Sequence, residues 1–181
     1  TQKLLERYNI RVRLVSYHEH NEKKRAEQAL AWLRNGLSIA LVSDAGTPGI
    51  ADPGCHLVHL AHTEGLRVAV LPGPSALAAA LSACGLPGAE HCFLGFLPRT
   101  SRERIEVLEK AKATGWKVVF YETPHRVRDS LADVRSLWGD EHLVFMGREM
   151  TKKFEELTLT RLGTLWERIQ AEEIPGEMVF V

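Results

Sequence analysis

The 181 residues are 45% hydrophobic and carry 23 basic and 23 acidic side chains, enough apolar material for a sizeable core and no net charge pointing to nucleic acid or an anionic membrane. Three cysteines, Cys55, Cys84 and Cys92, are odd in number and lack C-x-x-C spacing, which argues against a disulfide framework and for reduced thiols in a cytoplasmic protein. The longest apolar run, residues 76–83, is far short of the roughly 20 residues that span a bilayer.

In chain order, Thr1 to Tyr8 reads as the middle or end of an amphipathic helix with no initiator methionine and no preceding strand. Residues 177–181 stop inside an apolar, β-prone run, so the chain is expected to be a fragment of a longer protein. Residues 38–43 predict a buried strand, 55–64 a helix closed by Gly65, 67–71 a strand, and 75–84 a helix with Ser75 as N-cap and Gly85 as stop. After the loop 85–90 come a strand over 92–97, a helix over 101–113 and a strand over 117–121. A helix over 124–138 follows, with proline in its first turn. A strand over 142–146 leads to residues 154–159, whose alternation predicts a half-exposed antiparallel strand; a helix over 164–171 and a strand over 177–181 finish the chain. The pattern is α/β, with a domain over residues 1–89, incomplete at its start, and a second over 90–181 with a mixed sheet.

Ligands of open α/β sheets bind beyond the carboxyl ends of strands, so three strand-tip loops are candidates. Residues 43–54 hold Asp44, Gly46, Thr47, Pro48, Gly49, Asp52, Pro53 and Gly54. Glycines admit a ligand close to the backbone, prolines limit the ordering cost, and a carboxylate can accept bonds from a ligand amine. A stiff turn with a capping aspartate would read the same way. Leu71-Pro72-Gly73-Pro74-Ser75-Ala76 places small residues at a helix start, where free amides favour an anion, yet it matches neither a dinucleotide fingerprint nor a P-loop. Tyr121-Glu122-Thr123-Pro124-His125-Arg126 brings an aromatic, an acid and a base to a third tip, although Thr123 and Pro124 also suit simple helix initiation.

Taken in order, these three motifs with Arg148-Glu149-Met150-Thr151-Lys152 and Gly176-Glu177-Met178-Val179 resemble the successive motifs of the tetrapyrrole methylase superfamily. Within it, His18-Glu19-His20-Asn21-Glu22 is similar to the His-Asn-Glu segment of the RsmI type of 16S ribosomal RNA (cytidine-2'-O)-methyltransferases. The resemblance covers nearly the whole chain. It departs at the ends: the family's opening strand, Pro-Ile-Gly-Asn loop and Glu-Asp-Thr-Arg segment are not found, nor is its small C-terminal helical region. The chain on its own is therefore expected to be inactive.

The resemblance implies two α/β domains of the class III methyltransferase type with S-adenosylmethionine in the cleft between them. The cofactor contacts it implies are Ser43, Asp44, Thr47, Ser75 and Ala76 from the first half, and Tyr121, Met150 and Gly176 from the second. It also implies 16S ribosomal RNA or the small ribosomal subunit as partner, and a homodimer. Glu149 and Lys152, flanking Met150, are the candidates for assisting proton removal from a ribose hydroxyl; a structural ion pair is the alternative. His18, His20 and Glu22 invite comparison with a metal site, but the order is not H-E-x-x-H and no third ligand cluster is evident, so no metal is expected. Between 99 and 128, eight cations (Arg99, Arg102, Arg104, Lys110, Lys112, Lys117, Arg126 and Arg128) exceed the acids, which suits either an RNA-facing patch or a solvated helix face. Rivals are a methylase of a tetrapyrrole precursor or of the diphthamide pathway and, in another class, a non-catalytic nucleotide- or RNA-binding module.

Overall fold

The computed structural model describes residues 1–181, which divide into two compact units, Thr1–Ser75 and Ala76–Val181. The first unit is built on three helices: α1 (Gln2–Arg7), α2 (Glu22–Arg34) and α3 (Cys55–Thr63). The helix α2 is absent from the sequence reading. Its inward stripe is mostly alanine, Ala26, Ala29 and Leu30, set among charges, and it packs on Leu57 and Leu60 of α3 with Tyr17, Trp32 and Ile39 around them. An exposed Arg34–Glu64 ion pair ties the C-terminal ends of α2 and α3 together.

The two strands expected in this unit do not form. Residues 38–43 keep the period of an extended chain, with Ile39, Leu41 and Ser43 half-buried and the residues between them exposed, but they enter no ladder. Residues 67–71 are exposed throughout, Val70 at 82% and Leu71 at 85%. A β-strand exists only through hydrogen bonds to a neighbour, and no segment of this unit supplies one.

The second unit holds a single five-stranded mixed sheet, so the α/β class is observed there. Its strands are β1 (His91–Phe96), β2 (Lys117–Glu122), β3 (Leu143–Arg148), β4 (Glu156–Arg161) and β5 (Met178–Phe180), in the order β1-β2-β5-β3-β4. Only β1 and β2 are parallel; β5 is antiparallel to both β2 and β3, and β4 is antiparallel to β3. One face carries α5 (Ser101–Lys112), α6 (Val127–Trp138) and α7 (Leu162–Ala171), whose Leu108, Leu131, Leu165 and Ile169 bury against Phe120, Met146 and Phe180. Each such side chain contributes roughly 1.5–3 kcal/mol by leaving water. On the other face α4 (Ala76–Ala83) packs Ala80 with Cys84 against Val119, Phe145 and Val179.

Local chemistry sets the helix starts. Thr100 caps α5, accepting from the Glu103 amide while donating its hydroxyl proton to the Glu103 carboxylate. The helix α6 begins at Val127, three residues later than the proline suggested. Residues 124–126 form a turn in which both the Arg126 and Val127 amides donate to the Thr123 carbonyl.

Candidate functional site

In the first unit, the loop 43–54 and the segment before Ser75 touch: the Thr47 hydroxyl donates to the Pro74 carbonyl at 2.9 Å, and the Ser43 hydroxyl closes its own turn on the Gly46 carbonyl at 3.2 Å. Asp44 stands fully exposed at this tip. The far end of the loop is held by Glu22, whose carboxylate accepts from the Gly54 amide at 2.9 Å and from the Tyr17 hydroxyl at 3.2 Å. Burial and the neighbouring Glu22 charge push the Tyr17 phenol up to about 12, so it remains a donor. Sequence reasoning missed this clamp: it weighed Glu22 only with His18 and His20 against a metal site and expected no metal. His18 instead meets Asn21, ring nitrogen to side-chain amide at 2.9 Å, and the His18 and His20 rings lie 6.0 Å apart, edge to face.

In the second unit, register brings the other candidates together. Glu122 and Arg148 both pair with Met178, so the ends of β2 and β3 and the start of β5 share one edge of the sheet. Tyr121, Met150 and Gly176 therefore lie at that edge, and Ala76 joins them because the adjacent Leu77 amide donates to the Tyr121 hydroxyl at 3.0 Å. Met150 and Tyr121 both pack against the Val119–Phe145–Val179 cluster.

Glu149 straps this edge. Its carboxylate accepts from Lys152 Nζ at 2.9 Å and from the Glu177 amide at 3.1 Å, while its own amide donates to the Glu177 carbonyl at 3.0 Å. The Lys152 hydrogen bond, with a smaller contribution from the Glu177 amide, draws the Glu149 carboxyl below its ordinary range, and the Glu149 bond raises the Lys152 ammonium. Both stay charged at neutral pH. The backbone at Glu149 and Thr151 is left-handed, with φ of 47° and 65°, a conformation costly for non-glycine residues that the strap holds in place.

Beneath Tyr121 sits a carboxylate whose role the sequence did not disclose. Glu122 is fully buried (0% exposed), accepts from the Ser130 hydroxyl at 2.5 Å and the Thr123 amide at 2.9 Å, and pairs with Arg126 at 3.5 Å. Arg126 in turn donates to the carbonyls of Leu97 and Pro98. Arg104, also buried, donates to Asp133 and to the carbonyls of Pro98, Arg99 and Asp129, so the turn after β1 is fixed from two sides.

These bonds dissolve most of the basic patch read between 99 and 128. Arg104 and Arg126 are internal struts, Arg128 donates to the Ile169 and Glu172 carbonyls, and Lys112 to that of Leu137. Lys117 donates to Leu86 and Gly88, and Lys110 pairs with Glu106. Only the side chains of Arg99 and Arg102 make no ion pair or hydrogen bond.

Taken unit by unit, the residues are of the kinds that S-adenosylmethionine needs. The first unit has an exposed acid at Asp44 and a tip at Gly73 with no side chain; the second has an apolar face from Tyr121 and Met150 and an edge backbone at Gly176 that admits no side chain. No helix of the chain is long and apolar enough to cross a membrane.

Comparison with known proteins identifies the family. The chain is 44% identical over 180 residues to "Ribosomal RNA small subunit methyltransferase I" of Escherichia coli O157:H7, covering 98% of this chain and 63% of that protein. It is 39% identical over 181 residues to the protein of the same name from Thermotoga maritima, covering all of this chain and 81% of the relative. Among solved structures, diphthine synthase superposes with a TM-score of 0.67 at 13% identity over 99% of this chain and 72% of that one. The uroporphyrin-III C-methyltransferase of Thermus thermophilus, complexed with S-adenosyl homocysteine, gives 0.58 at 15% over 91% and 74%. Both likenesses speak for the fold alone. With the family model of the Tetrapyrrole (Corrin/Porphyrin) Methylases matching residues 2–165, the chain belongs to the tetrapyrrole methylase family.

Proposed function

We propose that this chain carries most of the cofactor pocket of an S-adenosylmethionine-dependent methyltransferase acting on the 2'-hydroxyl of a cytidine in 16S ribosomal RNA. The observation that carries the reading is the 44% identity, across 98% of the chain, to a ribosomal RNA small subunit methyltransferase. The chain spans 63% of that relative's length, and the activity, RNA partner and homodimer are proposed for the whole protein. The cofactor contacts fall in both compact units of the chain. Ser43, Asp44, Thr47 and Ser75 contribute from the first unit, and Ala76, Tyr121, Met150 and Gly176 from the second.

When bound, S-adenosylmethionine supplies an activated methyl group. Asp44 accepts bonds from its amino group, the glycine-bearing tips admit it to the backbone, and Met150 with Tyr121 covers its apolar surface. The chain's remaining task is to hold the ribose oxygen in line, and positioning of this kind can supply several kcal/mol of the barrier reduction, of order 7–11 kcal/mol at best. Glu149, held ionised beside Lys152, is the group able to accept the hydroxyl proton, and Lys152, held protonated, offsets negative charge developing on the oxygen.

Titration calorimetry of the full-length protein with S-adenosylmethionine, against NAD and ATP, tests the cofactor assignment. Selective binding of S-adenosylmethionine is expected, and selective binding of either nucleotide refutes it. A Glu149→Gln, Lys152→Met double variant that transfers methyl groups to small subunits at the unsubstituted rate would dismiss the proton-transfer roles.

A further inference from the structure

The strand β1 carries an irregularity that re-aims one aromatic. Phe93 pairs with Val119 and Phe96 with Tyr121, so three steps along β1 match two along β2. The extra residue is absorbed in a bulge where Gly95 takes φ of 63°, a left-handed conformation that glycine adopts without steric cost. Side chains three apart on a regular strand face opposite ways. Here both Phe93 and Phe96 turn onto Tyr121, edge to face, with centroids 5.0 and 5.6 Å away.

Phe96 is left 44% exposed by this arrangement, at the sheet edge that carries Tyr121. The turn that follows is immobilised by Arg104 and Arg126 through its backbone carbonyls, which leaves the ring on a rigid base. Arg99, in that turn, and Arg102, in the first turn of α5, are the two uncommitted cations of the region.

An exposed aromatic on a rigid strand end, followed within six residues by two unpaired guanidinium groups, has the composition that takes an unstacked nucleotide: a π-face for the base and cations for the flanking phosphates. We propose that Phe96 is the stacking platform for an unpaired base of the RNA substrate, with Arg99 and Arg102 contacting the phosphates beside it. This rests on the RNA reading above and assigns it a surface.

The test uses the full-length protein with Phe96→Leu, Phe96→Tyr and an Arg99→Gln, Arg102→Gln pair, each checked by thermal melting and by S-adenosylmethionine affinity. The ligands are an unstructured oligonucleotide of 16S sequence and the assembled small subunit. Phe96→Leu, which keeps apolar volume but loses the π-face, is expected to weaken oligonucleotide binding roughly five- to hundredfold with cofactor affinity unchanged, and Phe96→Tyr to stay within about threefold. The arginine pair is expected to reduce the slope of log affinity against log salt by about 1.4, near 0.7 per phosphate contact.

Unchanged oligonucleotide affinity in Phe96→Leu, or an unchanged slope in the arginine pair, overturns this inference while leaving the methyltransferase reading intact. Weakened binding to the subunit with unchanged binding to the oligonucleotide would place a ribosomal protein on this surface and overturns it equally. If the unsubstituted protein binds neither RNA nor subunit, both the inference and the RNA reading fall.

Discussion

Replacing Gly176 by alanine attacks the edge where Met150 and Glu149 meet the start of β5. Gly176 has φ of 93°, and a Cβ there would fall on the Glu149 Cγ, 2.7 Å from its Cδ and Oε1. Two costs follow. Holding a non-glycine residue at that φ costs on the order of 1 kcal/mol. Displacing Glu149 from the Glu177 amide costs about 1–3 kcal/mol more, the range for overpacking a fitted contact. Gly176→Ala is therefore expected to lower unfolding stability by about 2–4 kcal/mol in chemical denaturation and to weaken S-adenosylmethionine binding in calorimetry. The two costs separate in a double variant: adding Glu149→Ala removes the colliding side chain, so Gly176→Ala should then cost only the φ part, about 1 kcal/mol. Full cost in both backgrounds, or none in either, would refute the account of this edge.

Glu156 lies between Arg168 and Arg148, and chiefly the hydrogen bonds from Arg168, then those from Arg148 and Thr158, lower its carboxyl from 4.5 to about 2. A depressed carboxyl stabilises the fold above its unfolded pKa, so this contribution is present at pH 7 and lost as the pH falls from about 4.5 toward 2. Discounted for a side chain 22% exposed, it amounts to about 1–2 kcal/mol. Denaturation midpoints of Glu156→Gln and the unsubstituted protein should differ at pH 7 and converge at pH 2; an equal gap at both would contradict the pairing. Tyr121→Phe removes the acceptor of the Leu77 amide, and should cost about 1 kcal/mol in denaturation with a several-fold loss of cofactor affinity. Cofactor affinity unchanged in this variant would detach Tyr121 from the pocket. Thr47→Val unlinks the loop 43–54 from Pro74; stability should move by less than about 1 kcal/mol while cofactor affinity falls, and intact affinity would show that the link is idle.

What the sequence disclosed follows from where the determining contacts lie. The strands β1 to β5 stand within a few residues of their expected positions because each carries its own alternation or apolar run between turn residues, and the half-exposed pattern at Leu157 and Leu159 marks β4 as an edge. Residues 38–43 have the same local character, yet their pairing depends on a neighbour that no local pattern supplies, and they form no ladder. The helix α2 hid because alanine at 26 and 29 is a weak apolar signal among charged neighbours.

At the site, Tyr121 stood in a strand-tip loop, while Met150 and Gly176 came only through the family resemblance; the register of β2, β5 and β3 brings all three to one edge. Strand-tip reasoning could not find the strut from Glu122 through Arg126 to the Leu97 carbonyl, which joins residues up to 29 apart. Nor does Phe93-Leu94-Gly95-Phe96 reveal the bulge, since the shift shows only against the partner strand. The basic residues between 99 and 128 stayed open between two readings for a related reason: charge counts do not distinguish a guanidinium spent on a backbone carbonyl from one that is free.

The central claim is best tested by incubating the full-length protein with S-adenosylmethionine carrying a labelled methyl group and small ribosomal subunits, digesting the RNA to nucleosides and locating the label by mass spectrometry. The account predicts label on the ribose 2'-oxygen of a cytidine from 16S RNA, reduced by Gly176→Ala and by Phe96→Leu. Label on a base, on protein or on a small-molecule acceptor, with the ribose of 16S RNA unlabelled, would contradict it.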